Sequence, residues 1–315
     1  MRKIIQLYKK INGREVLIQY LYAHVLGFAL CTIILFGLSK KSLEIVRLAV
    51  SNRILCRLRK KYHSFVLNFK SKNALYMHEH KKTDNMWVCW LQGIEEAPFL
   101  VQKCYQSIKD NLSERNVILL DNKNYKEYVE FPDSIQRKID SGIISKTHMS
   151  DLLRLELLTR YGGTWIDATV YISGKNIPVY MLDSDLFLFQ DLKPGLDGHC
   201  TRISNWFITA STHNPILELT KSLLYDYWEK NSKLVDYFLF HDFLEIAIET
   251  YPEEWEKVIP YSNSIPHILL LRLFEKYNDD VWTALKNLCC VHKLSYKFEE
   301  VNQEVKDTFY DKLFN

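Results

Sequence analysis

The stretch that most constrains this chain runs from His148 to Tyr171, HMSDLLRLELLTRYGGTWIDATVY. It reads as a helix, a glycine stop and a short strand ending in an acid. Ser150 is the expected N-cap, because its hydroxyl can accept an orphan backbone N–H of the first turn. Leu152, Leu153, Leu155, Leu157 and Leu158 make the helix apolar on most sides, so it is expected to be buried. Gly162 or Gly163 can close it in the left-handed conformation without a Cβ penalty. Thr164-Trp165-Ile166 is β-prone, and Asp167 follows where a buried strand would emerge.

Spacing then brings polar groups together. Asp151 and Arg154 are three residues apart and share one helix face. Trp165, Asp167 and Thr169 point the same way for as long as the strand stays extended. Ligands of open α/β sheets sit beyond the carboxyl ends of the strands. An acid there, beside an Asp/Arg pair, suits a polyhydroxylated, phosphate-bearing ligand. Trp165 is expected to pack the core. On spacing alone, a plain helix–strand unit whose Asp167 merely caps a turn fits equally well.

SDLLRLELLTRYGGTWIDATVY resembles the SDxxRxxxLxxYGGxxxDxD signature of glycosyltransferase family 32 and related sugar transferases. More closely, THMSDLLRLELLTRYGGTWIDATV is similar to the bacterial capsular polysaccharide synthesis branch of that group, in which the acidic motif commonly reads D-A-T. The likeness extends more loosely to MWVCWLQGIEEAPFLVQKCYQSIKDN before the motif and KLSYK after it. It implies an α/β, GT-A-like nucleotide-sugar-binding fold with a mainly parallel mixed sheet.

Before the motif, Met86–Leu91 is expected as a first buried strand, Ala97-Pro98 opens a helix reaching about Lys109, and Val117–Leu120 forms a second strand. This β/α alternation points to a mainly parallel sheet. After it, Asp183-Ser184-Asp185 is a literal D-x-D, but it directly precedes the probable strand Leu186–Phe189 and reads better as a turn. Trp206–Ala210 is a further strand, and Ile216–Lys230 and Tyr237–Thr250 are helices. The second of these carries His241 and Asp242, which read as a site pair or as a satisfied helix face.

The first 82 residues are rich in Lys and Arg, although the whole chain carries only +3. They are expected as a basic helical region, with the glycosyltransferase domain over 83–315 and a polar linker, KSKNALYMHEHKKTDN, between them. No charge occurs from Val16 to Ser39. That segment can be a helix buried against its own neighbours, an in-plane or hairpin membrane helix, or a single span. Basic residues on both sides (Arg2, Lys3, Lys9, Lys10 and Arg14, then Lys40, Lys41 and Arg47) leave its orientation open. The following SLEIVRLAVSNRILCRLRKKYHSFVLNFK is basic and amphipathic and can meet anionic lipid. No nucleic-acid motif accompanies the basic run, and no nucleic-acid partner is expected. Seven cysteines without zinc or framework spacing suit reduced thiols in the cytosol.

The resemblance also implies roles. Asp151, Arg154 and Asp167 are the expected catalytic group, gripping donor-sugar hydroxyls and facing ribose or metal. Trp90 and Gln92 after the first strand, Asp121 after the second, Ser150, and Lys293 and Lys297 of the closing loop are expected to hold the nucleotide. A divalent cation, Mn²⁺ or Mg²⁺, would be held by Asp167, Thr169 and His292, although Thr169 stands where a carboxylate is usual and weakens that site. The implied activity is retaining transfer from a nucleotide sugar, UDP-linked by expectation, to a lipid-linked oligosaccharide acceptor at the inner face of the plasma membrane. A non-catalytic sugar- or lipid-binding scaffold is the rival reading.

Overall fold

The computed structural model describes residues 13–73, 79–191, 200–298 and 304–315. Arg2, Lys3, Lys9 and Lys10 and the middle of the expected linker lie outside them. In chain order the elements are α1 (Gly13–Tyr22), α2 (Leu26–Phe36), α3 (Lys40–Asn73), β1 (Asn85–Cys89), α4 (Phe99–Asn111), β2 (Asn116–Leu120), α5 (Asp133–Asp140), α6 (Lys146–Tyr161), β3 (Gly163–Asp167), β4 (Val170–Ile172) and α7 (Val179–Asp183). They continue as β5 (Leu186–Gln190), β6 (Ile203–Ala210), α8 (Pro215–Lys230), α9 (Leu239–Thr250), α10 (Pro252–Trp255), α11 (Ile268–Arg272), α12 (Asp279–Leu288), β7 (Val291–Lys293) and α13 (Phe309–Phe314).

Five strands form one sheet in the order β2-β1-β3-β6-β5. β1 pairs in parallel with β2 and β3, whereas β6 is antiparallel to both β3 and β5. Strands β2, β1, β3 and β5 therefore share a direction and β6 opposes them, which is the mainly parallel mixed sheet expected from the sequence. β4 and β7 make a separate antiparallel ribbon, with Val170 opposite Lys293.

Strand alternation sorts the side chains onto two faces. Trp87, Trp165, Leu188 and Ile208 belong to the cluster shared with α6, α8, α9 and α3. Met86, Val88, Ile166 and Phe187 belong to the cluster shared with α4 and α7. Both faces are thus covered, as a parallel sheet requires. The five motif leucines of α6 are fully buried, and each contributes about 1.5–3 kcal/mol by leaving water. They hold the central helix against the sheet.

The helix begins earlier than expected. Ser145 is its N-cap and accepts from the His148 backbone N–H, whereas Ser150 lies within the helix and donates to the Thr147 carbonyl at 2.7 Å. The polar Lys146-Thr147-His148 run lacks any breaker, so the helix extends back to the serine that follows Gly142-Ile143-Ile144.

The N-terminal segment divides the readings. Residues 16–39 do not form one helix: the chain turns at His24, with φ 56°, and α1 and α2 are separate. No described helix is long and apolar enough to cross a membrane. On α3, Val46, Val50, Ile54, Leu58 and Tyr62 recur every fourth residue and are buried, with the Tyr62 ring edge-on to Phe243 of α9 at 5.0 Å. The apolar stripe of the basic helix therefore packs on the protein. By contrast α2, LGFALCTIILF, buries only Ala29 and Thr32 and leaves Ile34 and Leu35 80% exposed or more.

The turn between α6 and β3 is the tightest point of the fold. Gly162 (φ 66°) and Gly163 (φ 94°) are both left-handed, and a Cβ on Gly163 would lie 2.2 Å from the Asn85 carbonyl oxygen. Gly163→Ala is therefore expected to destabilise the protein by more than about 2 kcal/mol, from φ strain plus collision with β1. Chemical denaturation beside the wild type checks this, with Gly174→Ala, where nothing lies within 4 Å of the added atom, as the control.

Candidate active site

Side chains from three elements converge where β3 stops. The middle of α6 supplies Asp151 and Arg154, the last residue of β3 supplies Asp167, and the end of β7 supplies Lys293. Because β6 runs against its neighbours, its amino end brings Asn205 to the same edge.

Asp151 is buried and accepts from Arg154 Nη1 at 2.5 Å and from Asn205 Nδ2 at 3.1 Å, with His148 Nδ1 3.5 Å from its second oxygen. Arg154 also reaches Asp167 Oδ1 through Nη2 at 3.4 Å, and its guanidinium lies over the Trp165 ring at 4.7 Å. Trp165 Nε1 donates to the same Asp167 oxygen at 2.9 Å. Trp165 is thus more than core packing: the predicted same-side alternation of Trp165 and Asp167 lets the indole orient the carboxylate. Lys293 Nζ completes the group, 2.9 Å from Asp167 Oδ2 and 2.6 Å from Thr169 Oγ1.

Burial pushes the Asp167 carboxyl up, but the charges of Lys293 and Arg154 and the Trp165 hydrogen bond outweigh it and hold it below the usual carboxylate range. Burial likewise pushes Asp151 up, and the His148 hydrogen bond with the Arg154 charge more than reverses that. Both acids are therefore ionised at neutral pH and act as acceptors and counter-charges. Neither is set up as a proton donor.

A cavity of about 320 Å³ opens against Asp151, Arg154 and Asp167. Its far wall holds a polar chain in which Trp206 Nε1 donates to Asn263 Oδ1 at 2.9 Å and Asn263 Nδ2 donates to Asp191 Oδ1 at 3.0 Å. Ser150, Tyr237 and His241 also line it, whereas Asp242 points into the core and is almost fully buried. Beyond Asp167, Trp90 stands edge-on to Tyr296 at 5.5 Å, and its buried Nε1 lacks a hydrogen-bond partner.

Other expected residues sit apart from this group. Gln92 is an exposed turn residue. Asp121 closes its own turn by accepting from the backbone N–H groups of Lys123 and Asn124. Lys297 is exposed. His292 alternates with Lys293 on β7 and faces the other way: its Nε2 lies 2.9 Å from Ser173 Oγ and its ring stacks on Tyr171. Burial pushes its imidazole down to about 4. Asp183 forms a two-pronged pair with Arg115 at 2.8 and 2.9 Å, beside the amino ends of β1 and β2. The literal D-x-D therefore lies at the opposite edge of the sheet from Asp167.

The residues expected to hold a divalent cation are otherwise engaged. Mg²⁺ and Mn²⁺ need several oxygen ligands. Both Asp167 oxygens and the Thr169 hydroxyl already accept from nitrogen donors, and His292 faces away. Among the described residues, no group of three or more His, Cys, Asp or Glu side chains could hold a metal. The site does not fit such an ion, and no step below runs through one.

Sequence reasoning missed Asn205 and Asp191, and it gave no role of their own to Asn263, in a loop expected near the cleft, or to Tyr296, in the closing loop. Asn205 carried a faint signal, as the one amide within the strand run ISNWFITA. The others come from loops whose positions no periodicity encodes.

The family model described as "Capsular polysaccharide synthesis protein" matches residues 37–313, so the chain belongs to the capsular polysaccharide synthesis protein family. A comparison with curated proteins finds no match. Among solved structures, the chain is similar to the PaToxG glycosyltransferase at 14% identity and a TM-score of 0.39, covering 83% of this chain and 96% of that one.

Asp167 carries two cations, so Asp167→Asn is expected to cost about 1–3 kcal/mol at pH 7 by leaving them under-compensated. Its folded pKa lies below the unfolded one, so this contribution is complete above the unfolded value near 3.8 and is lost as pH falls through the folded one. Urea unfolding of both proteins should show a constant gap from pH 5 to 8 that narrows below pH 4.

Proposed function

We propose that the protein is a glycosyltransferase of capsular polysaccharide synthesis that moves a sugar from a nucleotide-sugar donor to an oligosaccharide acceptor. The observation that carries this reading is the single ion network of Asp151, Arg154, Asp167 and Lys293 at the carboxyl edge of a mainly parallel sheet, beside a polar cavity. The GT-A-like assignment draws support from the same sheet and from the motif.

In this reading the donor sugar occupies the 320 Å³ cavity, with its hydroxyls facing Asp151, Arg154 and the Asp191–Asn263 wall. The diphosphate lies toward Lys293, and the base lies near Trp90 and Tyr296. UDP is the expected nucleotide. Transfer forms a bond between the acceptor oxygen and the anomeric carbon. The bond to the diphosphate oxygen breaks, and its electron pair leaves with the diphosphate. With both acids held in ion pairs by Arg154 and Lys293, a front-face path is favoured, in which the acceptor proton passes to the departing phosphate and configuration is retained. Preorganised charge at the leaving group then does most of the work.

The acceptor reading is a lipid-linked oligosaccharide at an anionic membrane. Its support is the exposed apolar face of α2, with Phe28, Leu30, Ile34, Leu35 and Phe36, flanked by exposed Lys40, Lys41, Arg47 and Arg53. Arg53 lies over the Phe28 ring at 5.8 Å, which joins the basic and apolar parts into one surface. An 11-residue helix spans about 16 Å, roughly half a hydrocarbon core, so α2 would lie in the interface. In this reading the protein sits at the inner face of the plasma membrane.

Slow nucleoside diphosphate release from one of a panel of nucleotide sugars tests the catalytic reading. Asp167→Asn should lower turnover by about 10²–10³-fold, and Asp185→Asn should leave it within a few fold. No release from any donor would favour the non-catalytic scaffold. For the membrane reading, wild-type protein should sediment with vesicles of phosphatidylglycerol and phosphatidylethanolamine. Ile34→Asp/Leu35→Asp should reduce that at least about tenfold, since burying each apolar side chain is worth about 1.5–3 kcal/mol.

A further inference from the structure

We infer that the Lys293 ammonium occupies the cation seat of this site, so that the protein stabilises a departing diphosphate with a lysine in place of a divalent metal ion. The diphosphate part of this inference rests on the glycosyltransferase reading. The filled seat itself does not.

A metal held by this acidic motif would sit between the Asp167 carboxylate and the side chain at 169. Lys293 Nζ lies at that place, 2.9 Å from Asp167 Oδ2 and 2.6 Å from Thr169 Oγ1. Both distances suit N–H···O hydrogen bonds to an ammonium. The strand pairing explains how it gets there. Lys293 pairs with Val170 on the β4–β7 ribbon, and Leu294 N–H donates to the Thr169 carbonyl at 3.0 Å, so the ribbon carries the lysine back over the turn after β3.

Residue 169 matches this occupant. A threonine hydroxyl offers a neutral acceptor, which suits a singly charged ammonium already paired with one carboxylate. A second carboxylate there would suit a doubly charged ion. The other Asp167 oxygen is held by Trp165 and Arg154, so a metal would have to displace or share donors that both carboxylate oxygens already have. The charge count agrees for the protein without nucleotide: Asp151 and Asp167 are balanced by Arg154 and Lys293, so the cluster presents no net negative charge to attract a divalent ion.

Lys293 is also placed to act. An ammonium has three donors, and Asp167 and Thr169 use two of them. Its side chain keeps 17% of its surface open, so the third can meet an incoming oxyanion. It neutralises charge as the diphosphate departs, with no proton transferred from it.

The test begins without nucleotide. Full-length wild type is titrated with Mn²⁺ alone, with free ion followed by electron paramagnetic resonance, beside Lys293→Met and the double variant Thr169→Asp/Lys293→Ala. Circular dichroism confirms that each variant is folded. The wild type is expected to show no stoichiometric site, and at least one variant should bind one Mn²⁺ at least tenfold more tightly. A wild type that binds one Mn²⁺ and loses it in Asp167→Asn overturns the inference, as does the absence of any gain in both variants. UDP binding is then measured by calorimetry in EDTA and in Mn²⁺. Equal affinity in the two buffers, falling at least tenfold in Lys293→Met, is the expected result. UDP binding that requires Mn²⁺ overturns the inference. If UDP, GDP, CDP and TDP all fail to bind, the nucleotide-sugar reading falls, while the Mn²⁺ titration still decides whether Lys293 fills the seat.

Discussion

A carboxylate held at the end of a buried strand must find counter-charge or stay protonated, and the architecture around Asp167 is organised by that requirement. Moving an ion out of water costs several kcal/mol unless partners replace the lost hydration. Asp167 finds three: Arg154 from α6, Trp165 two residues back on its own strand, and Lys293 from β7. Each partner arrives on a different structural device. Leucine burial fixes α6, the pleat presents Trp165 on the side of Asp167, and the β4–β7 ribbon returns a residue 126 positions away in sequence.

The same requirement explains why the glycines matter. For Arg154 to reach Asp167, α6 must end and reverse into β3 within two residues. Gly162 and Gly163 do this in left-handed backbone while β1 passes within contact distance of the second. A side chain there would push β3 off β1 and move the acid that the cations hold. Backbone freedom at one turn thus sets side-chain electrostatics at the other end of a five-residue strand.

The protein has two surfaces with different logic. The site is polar, internally compensated and placed by the sheet. The α2 face is apolar, uncompensated and placed by α3, whose own apolar stripe is used up inside the protein. The amphipathic pattern of α3 alone could not show this, since a basic helix with one apolar stripe satisfies a membrane and a protein core equally well. What distinguishes them is whether a complementary apolar surface exists nearby. Here α9, with Phe243, supplies it.

Much of the fold was legible because it is written in local pattern. The buried leucine helix, the glycine stop, the β-prone triplet and the helix opened at Pro98 each follow from propensity or burial over a few residues. Asp151, Arg154 and Asp167 were legible for the same reason, as neighbours within one helix–strand unit. Lys293 was named only through resemblance, and its place between Asp167 and Thr169 was invisible. Asn205 and Asp191 left almost no trace in the sequence. Local patterning determined which elements form and which of their faces are buried. Only the tertiary structure decided which distant residues meet at the strand ends, that His292 turns away while Lys293 turns in, and that an ammonium fills the seat. Contacts across more than a hundred residues depend on strand register and loop path, and a one-residue shift on β7 would exchange the lysine for the histidine.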